Sequence, residues 1–447
     1  MKTSLVFSML VGVICFISSC KKSDKPTPAA TAPVIASISP DTGPKNTAVT
    51  ITGNNFGTDI SKVIVTFNGM VASVQTVTNT SIVAKVPVKA NTGKVSVNIN
   101  GQAADGPIFN YTLSYTVSTL AGSGALGHAD GAAAGASFGF PTGIVLDKNG
   151  NMFVADQYYN LVREITLGAS PTVSTFAGGF QSTVSYVDGT GAGAKFAFPT
   201  ALYFDAQGNM IEGDVASPAS LIRKITPAAV VTTISGVAGG QGSGYADGTL
   251  NTARFDGPVS ICIDATGNIY VADNNNFVIR KISTTGTVST LAGNHSSGYA
   301  DGTGTAASFR SATGLAIDAQ GNLYVADPGN SSIRKVTQAG VVTTYCGGGP
   351  NGAGIADGDI SVARFLSPRN LFIDAESNMY ISDVGSHRIR KITGSTVTTI
   401  AGTSQGFADG DGASAQFNYP NGITVDALGN IYVADGSNYR IRKIVKE

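Results

Sequence analysis

Residues 264–273 read DATGNIYVAD, and the phrase returns as DKNGNMFVAD at 147–156, DAQGNLYVAD at 318–327 and DALGNIYVAD at 426–435. Two looser copies, DAQGNMIEGD at 205–214 and DAESNMYISD at 374–383, complete a series of six. The leading Asp advances by 58, 59, 54, 56 and 52 residues. A period of this size marks an array of like units, because one such unit cannot bury its apolar face alone. Each unit reads as four strands. An apolar strand such as GIVLD (143–147) leads through an x-x-Gly-Asn turn to NMFVAD (151–156), then come an Arg-Lys-Ile strand and a Val-x-Thr-x-Ala-Gly strand. Four short strands repeated six times predict an all-β fold and a six-bladed β-propeller over 113–447.

Closure gives an independent expectation. The last unit stops at IRKIVKE, 441–447, without a fourth strand, whereas YTVSTLAG at 115–122 is a fourth strand with no unit before it. The strand at 115–122 is therefore expected to complete the last blade and remove the free sheet edges. The phrase D-x-x-G-N-I-Y-V-A-D, followed by N-x-x-I-R-K-I as at 276–282, resembles the signature of the NHL repeat family. Five copies match well and the second matches poorly.

Upstream the grammar changes. Residues 33–112 alternate apolar and polar side chains in short runs, AVTITG, KVIVTFNG, SIVAKVPV and KVSVNING, separated by turn signals. This predicts a small antiparallel sandwich. PVIASISPDTGPKNTAVTITGNNFG at 33–57 and IFNYT at 108–112 resemble the IPT/TIG family of immunoglobulin-like domains. That resemblance implies a spacer or platform on an extracellular protein.

The N-terminus reads as an address. Met1-Lys2, the apolar run Leu5 to Ile17 and Ser18-Ser19 predict a signal peptide over 1–19, too short for a spanning helix of ~20 residues. Ile17-Ser18-Ser19-Cys20 resembles a bacterial lipobox, which implies a mature chain lipidated at Cys20. Residues 20–32, rich in Pro, Ala, Lys and Thr, read as the lipidated Cys and a flexible tether. The expected location is the cell envelope, as an outer-membrane lipoprotein facing either the periplasm or the exterior, since Lys21-Lys22-Ser23-Asp24 does not decide between them.

Composition narrows the function. Of 447 residues 56 are Gly, charged residues make up 13%, and Lys+Arg balance Asp+Glu at 29 each. Such a chain has no basic field to hold nucleic acid. Trp is absent and His occurs three times, and no His/Cys/carboxylate cluster has metal-site spacing, so no metal, cofactor or catalytic residue is expected. Cys262 and Cys346 read as small buried hydrophobes in separate blades.

The recurrent residues read as structural. The Gly-Asn pairs suit tight turns that need positive φ. The Asp closing each second strand (156, 214, 273, 327, 383, 435) is expected to accept backbone N–H bonds in the turn that follows, and the Arg of each third strand (163, 223, 280, 334, 390, 442) to join blade to blade. Between blades runs a second refrain, YADGTLNTARF at 245–255 and its five counterparts, whose Ala and Phe look like plugs. Its Asp357/Asp359 and Asp409/Asp411 are too few for a calcium site.

A binding site would lie where the loops before strand one and after strand two emerge together. Before strand one the candidates are Thr142, Thr200, Thr313, Arg369 and Asn421, with Val259 in the same ring. After strand two they are Tyr158, Tyr159, Asn276, Phe277, His387 and Tyr439. Glu212 stands where other blades carry Val or Ile, which suggests either a channel site or a degenerate, solvated blade face. Amides, one Arg and several aromatic rings suit a glycan or an envelope protein or peptide. The expected function is a membrane-anchored binding protein, not an enzyme. A lyase or hydrolase in the channel and a purely structural scaffold are the alternatives.

Overall fold

The computed structural model describes residues 31–180, 186–215, 220–236, 243–348 and 352–447. The signal peptide, Cys20 and the tether up to residue 30 lie outside them, as do positions 216–219 of the loop after the second blade's Asp214. The chain divides into two compact units, Met1–Thr112 and Leu113–Glu447. No described helix is long and apolar enough to cross a membrane.

In the first unit, period-2 patterning produces two sheets. One orders Val34–Ser39, Ala48–Asn54, Ser81–Lys85 and Ser73–Thr78, and the other orders Thr42–Gly43, Gln102–Tyr111, Gly93–Ile99, Val63–Phe67 and Met70–Val71. Alternate residues point inward, so Val49, Ile51, Val65, Phe67, Ile82, Val95, Val97 and Phe109 form a fully buried core.

The second unit consists of six five-stranded sheets. In the third, strand one is Pro258–Ile263, strand two Ile269–Asp273, strand three Val278–Ile282 and strand four Thr287–Ala292. Each strand one packs beside the strand one of the next sheet, and Pro420–Val425 of the last returns to Pro141–Leu146 of the first. In the last sheet Tyr115–Ala121 lies between Arg440–Lys446 and Gly410–Asp411, so the two ends of the propeller segment share one blade.

Each blade carries one strand more than the four read from the sequence. The Asp-Gly loop adds a two-residue outer strand, as Gly248–Thr249 pairs with Val288 and Thr287. The cause is the buried Arg of strand three. Arg280 donates through Nη2 to Asp247 of the loop at 2.7 Å and through Nη1 to Asp273 of strand two at 2.9 Å. Asp247 in turn accepts from the Thr290 backbone N–H at 3.1 Å and its hydroxyl at 3.2 Å. Charge-assisted bonds from a fully buried guanidinium to the half-exposed Asp247 fix the loop along strand four.

The same clamp recurs in all six blades, with every Arg fully buried. These Arg residues therefore join parts of one blade, correcting the blade-to-blade expectation, because their reach ends on the loop docked to their own sheet. The strand-two Asp also differs from expectation. Its backbone donors lie in the loop before strand one, as in Asp256 N–H to Asp273 at 2.7 Å, while the following turn supplies a side chain, Asn276, at 2.9 Å. Burial raises the Asp156, Asp214 and Asp273 carboxyls to about 6, against the opposing pull of these N–H groups and the guanidinium. Beneath each guanidinium lies the refrain's Phe, as Phe255 lies 5.0 Å from Arg280, and Phe138, Phe196, Phe255, Phe309, Phe365 and Phe417 are all buried.

The strand one to two turns are organised by the Asp that opens the phrase. Asp264 accepts from the Thr266 and Asn268 backbones and from the Asn268 amide. Gly150, Gly208, Gly267, Gly321 and Gly429 adopt φ between 80° and 92° there, and Ser377 does so at 63°. A side chain in this region costs ~1–2 kcal/mol. Ser377→Gly is thus expected to stabilise the protein by about 0.5–1 kcal/mol, the relieved strain being partly offset by the greater entropy that Gly loses on folding. A chemical denaturation midpoint that stays unchanged would contradict this.

Candidate functional site

The loops before strand one and after strand two are joined by backbone hydrogen bonds in five blades, as Asn274 N–H donates to Gly257 and Gly436 N–H to Tyr419, and in the fourth, where Pro328 has no N–H, by the Arg310 guanidinium donating to the Gly329 carbonyl at 3.3 Å. They therefore form one face. At its centre Thr142, Thr200, Val259, Thr313, Arg369 and Asn421 line a single small cavity at the channel mouth. Five of them directly follow the Pro that opens strand one, and Thr313, after Ala312, directly precedes Gly314 of its strand. Deeper in, the channel is lined by aliphatic residues such as Ile144, Leu202, Ile261, Leu315, Leu371 and Ile423.

The three Thr hydroxyls have their protons engaged within the fold. Thr142 Oγ1 donates to Ala155 and Pro199 carbonyls, Thr200 Oγ1 to Gly213, and Thr313 Oγ1 to Ala326 and, across the seam to the next blade, to Arg369 at 2.8 Å. Their hydroxyls satisfy strand carbonyls at the blade seams. Asn276 is likewise engaged, donating to Gly244 O and Asp273 at 2.9 Å each while almost completely buried. The donors of these four candidates serve the fold, and the sequence did not show it because the acceptors lie on other strands or loops.

Arg369 and Asn421 differ. Arg369 is partly exposed, its guanidinium lies 5.6 Å from the Tyr419 ring, and it makes no ion pair among the described residues. Asn421 is 3% exposed, and neither its amide N nor its amide O has a hydrogen-bond partner. Around them runs an aromatic rim. Phe140 lies 5.9 Å from Tyr419, and an open cleft joins Phe140 to Tyr158, Phe198 and Tyr439. Tyr158 is 59% and Phe198 38% exposed. Phe198 and Tyr419 hold left-handed backbones with φ of 59° and 61°, uncommon for bulky residues.

Phe140, Phe198 and Tyr419 were not among the sequence candidates. A signal was present, because their column reads Phe, Phe, Gly257, Ser311, Ser367, Tyr, aromatic in three blades and small in the others. Tyr159 is partly exposed and joins a surface aromatic cluster, with its ring 4.8 Å from His128, 5.2 Å from Tyr158 and 5.5 Å from Phe180. Phe277, His387 and Tyr439 all occupy the left-handed residue that ends the turn after strand two, so their backbone geometry is common to the blades. Burial lowers the His387 imidazole below its ordinary value.

Comparison with known proteins fixes the architecture. The IPT/TIG domain matches at residues 33–117 and the NHL repeat at 255–282 and 417–444. The chain carries an IPT/TIG domain and NHL repeats. The Arabidopsis thaliana protein SUPPRESSOR OF QUENCHING 1, chloroplastic, is 28% identical over 323 residues, covering 68% of this chain and 30% of that protein. The bovine NHL repeat-containing protein 2 is 30% identical over 151 residues, covering 30% of this chain and 21% of that protein. This chain thus spans less than a third of the length of these curated relatives. The crystal structure of an auxiliary nutrient binding protein from Bacteroides thetaiotaomicron is 21% identical, with a TM-score of 0.62 over 93% of this chain and 98% of that one. A second such protein, from Bacteroides ovatus, is 22% identical, with a TM-score of 0.59 over 93% of this chain and 98% of that one. At these identities the structures share the fold.

Within the propeller the second blade is the exception. Glu212 pairs in register with Leu202 and Arg223, in the position of Val154, Val271, Val325, Ile381 and Val433. It is fully buried, and neither carboxyl oxygen has a hydrogen-bond partner. It lines neither the channel nor a solvated face, so both readings of it from the sequence are corrected: the period-2 register that aims Val into the packed interior aims Glu there too. Burial, with Asp214 adding to it, raises its carboxyl well above the ordinary 4.5.

A raised folded-state value means that the fold holds the proton while the unfolded chain releases it. Its destabilising contribution is therefore absent below about pH 4.5 and grows as pH rises above it. Glu212→Val is expected to stabilise the protein by about 1–3 kcal/mol near neutral pH, with less gain at pH 4. Denaturation at both pH values checks this, and a gain that does not depend on pH would contradict the buried-acid account.

Proposed function

We propose that this chain is a cell-envelope binding protein, anchored by a lipid on Cys20, that presents the mouth face of its NHL propeller to a glycan or peptide. The observation that carries the reading is the mouth itself: an unpaired Arg and an unsatisfied amide at the centre of an otherwise satisfied ring, beside exposed aromatic rings. Solvent-exposed rings and unpaired polar groups in one concave place suit recognition. The aliphatic lining of the channel favours binding over acid–base chemistry there. The shared fold of the two Bacteroides nutrient binding proteins agrees with this reading.

The test is a glycan and peptide array probed with the full chain extracted from membranes, in parallel with a Phe198→Ala, Tyr158→Ala variant. Binding that the variant loses supports the reading. Capture of neither ligand class, or binding indifferent to the variant, sinks it. Intact mass decides the anchor separately, since an unmodified N-terminus would remove the lipid.

A further inference from the structure

The mouth holds a charge without a partner. Arg369 occupies the ring position that is Thr in three blades, Val in one and Asn in one, and no carboxylate among the described residues pairs with it. The clamp arginines show what this chain does with a guanidinium it uses for packing, since each meets two carboxylates. Arg369 instead leans on Tyr419, whose face holds the planar group in place and leaves its donors for an incoming acceptor.

Asn421 lines the same cavity from the adjacent blade, with both amide atoms buried and unsatisfied. An orphaned buried polar group is costly, so a ligand toward which this amide turns recovers that cost on binding. Guanidinium and amide together match a carboxylate with an adjacent hydroxyl.

From these observations we propose that the ligand carries a carboxylate on a pyranose ring, a uronic acid, seated on Arg369 and Asn421 with its apolar ring face against the aromatic rim. This rests on the saccharide form of the proposed function. A peptide C-terminus is usually captured by a nest of backbone N–H groups. Here the available donors are side chains beside exposed aromatic faces, which suit a sugar ring.

The experiment titrates the full chain with trigalacturonic acid, triguluronic acid and the methyl ester of each, which keeps the ring and removes the charge. At least one acid is expected to bind about 10- to 100-fold more tightly than its ester, a charged hydrogen-bond effect. Arg369→Met is expected to abolish that difference, and Asn421→Thr, the residue of three other blades, to weaken binding several-fold. Unchanged melting of both variants shows that the fold is intact. Acid and ester binding equally, with both lost in the Phe198→Ala, Tyr158→Ala variant, would overturn the carboxylate assignment and leave saccharide recognition standing. A free-C-terminal peptide that binds while its amide and all saccharides do not would overturn the uronic acid assignment. Binding of other glycans with none of these acids would do the same. An array without any ligand fails the underlying function instead.

Discussion

Deleting residues 113–122 is expected to abolish the cooperative unfolding of the propeller. Six residues of Tyr115–Ala121 pair in register with Arg440–Lys446, and Val117 and Ala121 are fully buried in the seams on either side. Their removal forfeits ~1 kcal/mol per backbone bond and ~1.5–3 kcal/mol for Val117. Asp409 also loses the Thr119 backbone N–H and hydroxyl, so the last clamp loosens from its loop side. Summed, this approaches the whole stability of ~5–15 kcal/mol of a typical domain. The bared edge of Arg440–Lys446 would also invite pairing with other chains. Thermal unfolding with size-exclusion chromatography measures both effects. A deletion variant that melts like the parent as a monomer would show that the ring does not depend on this strand.

The second large effect is expected from Arg280→Met. The guanidinium meets Asp273 and Asp247 and the Arg254 and Ala246 carbonyls within 2.9 Å, and it is fully buried. Removing it leaves Asp273 uncompensated in the interior and frees the outer strand, at about 3–5 kcal/mol. Pairing the change with Asp273→Asn separates the causes. If the buried charge dominates, the double variant recovers part of the loss, because an uncharged amide needs no counter-ion. A single variant within about 1 kcal/mol of the parent in urea denaturation would show that the clamp is dispensable.

The repeat grammar left some things legible and hid others for identifiable reasons. Gly267 and Asn268 declared a tight turn because local backbone geometry demands a particular residue there. Phe255 and Ala253 declared plugs because apolar residues in a polar loop need burial. The partner of Arg280 was not legible, since Asp247 lies 33 residues earlier and nothing local distinguishes docking on its own blade from bridging to the next. The Thr ring at the mouth misled for the same reason: Thr313 looks free in sequence, yet its hydroxyl meets Arg369 O, 56 residues away.

By itself the sequence determined the all-β class, the two grammars and the six repeated units, because periodicity and turn chemistry are local properties that recur in register. Only the tertiary structure decided which side chains remain available. It put the Thr hydroxyls onto strand carbonyls, sealed Glu212 in the interior, and left Arg369 and Asn421 as the unsatisfied groups at the mouth beside an aromatic rim. Hydrogen-bond satisfaction depends on partners that folding brings from distant positions, and no single repeat contains them.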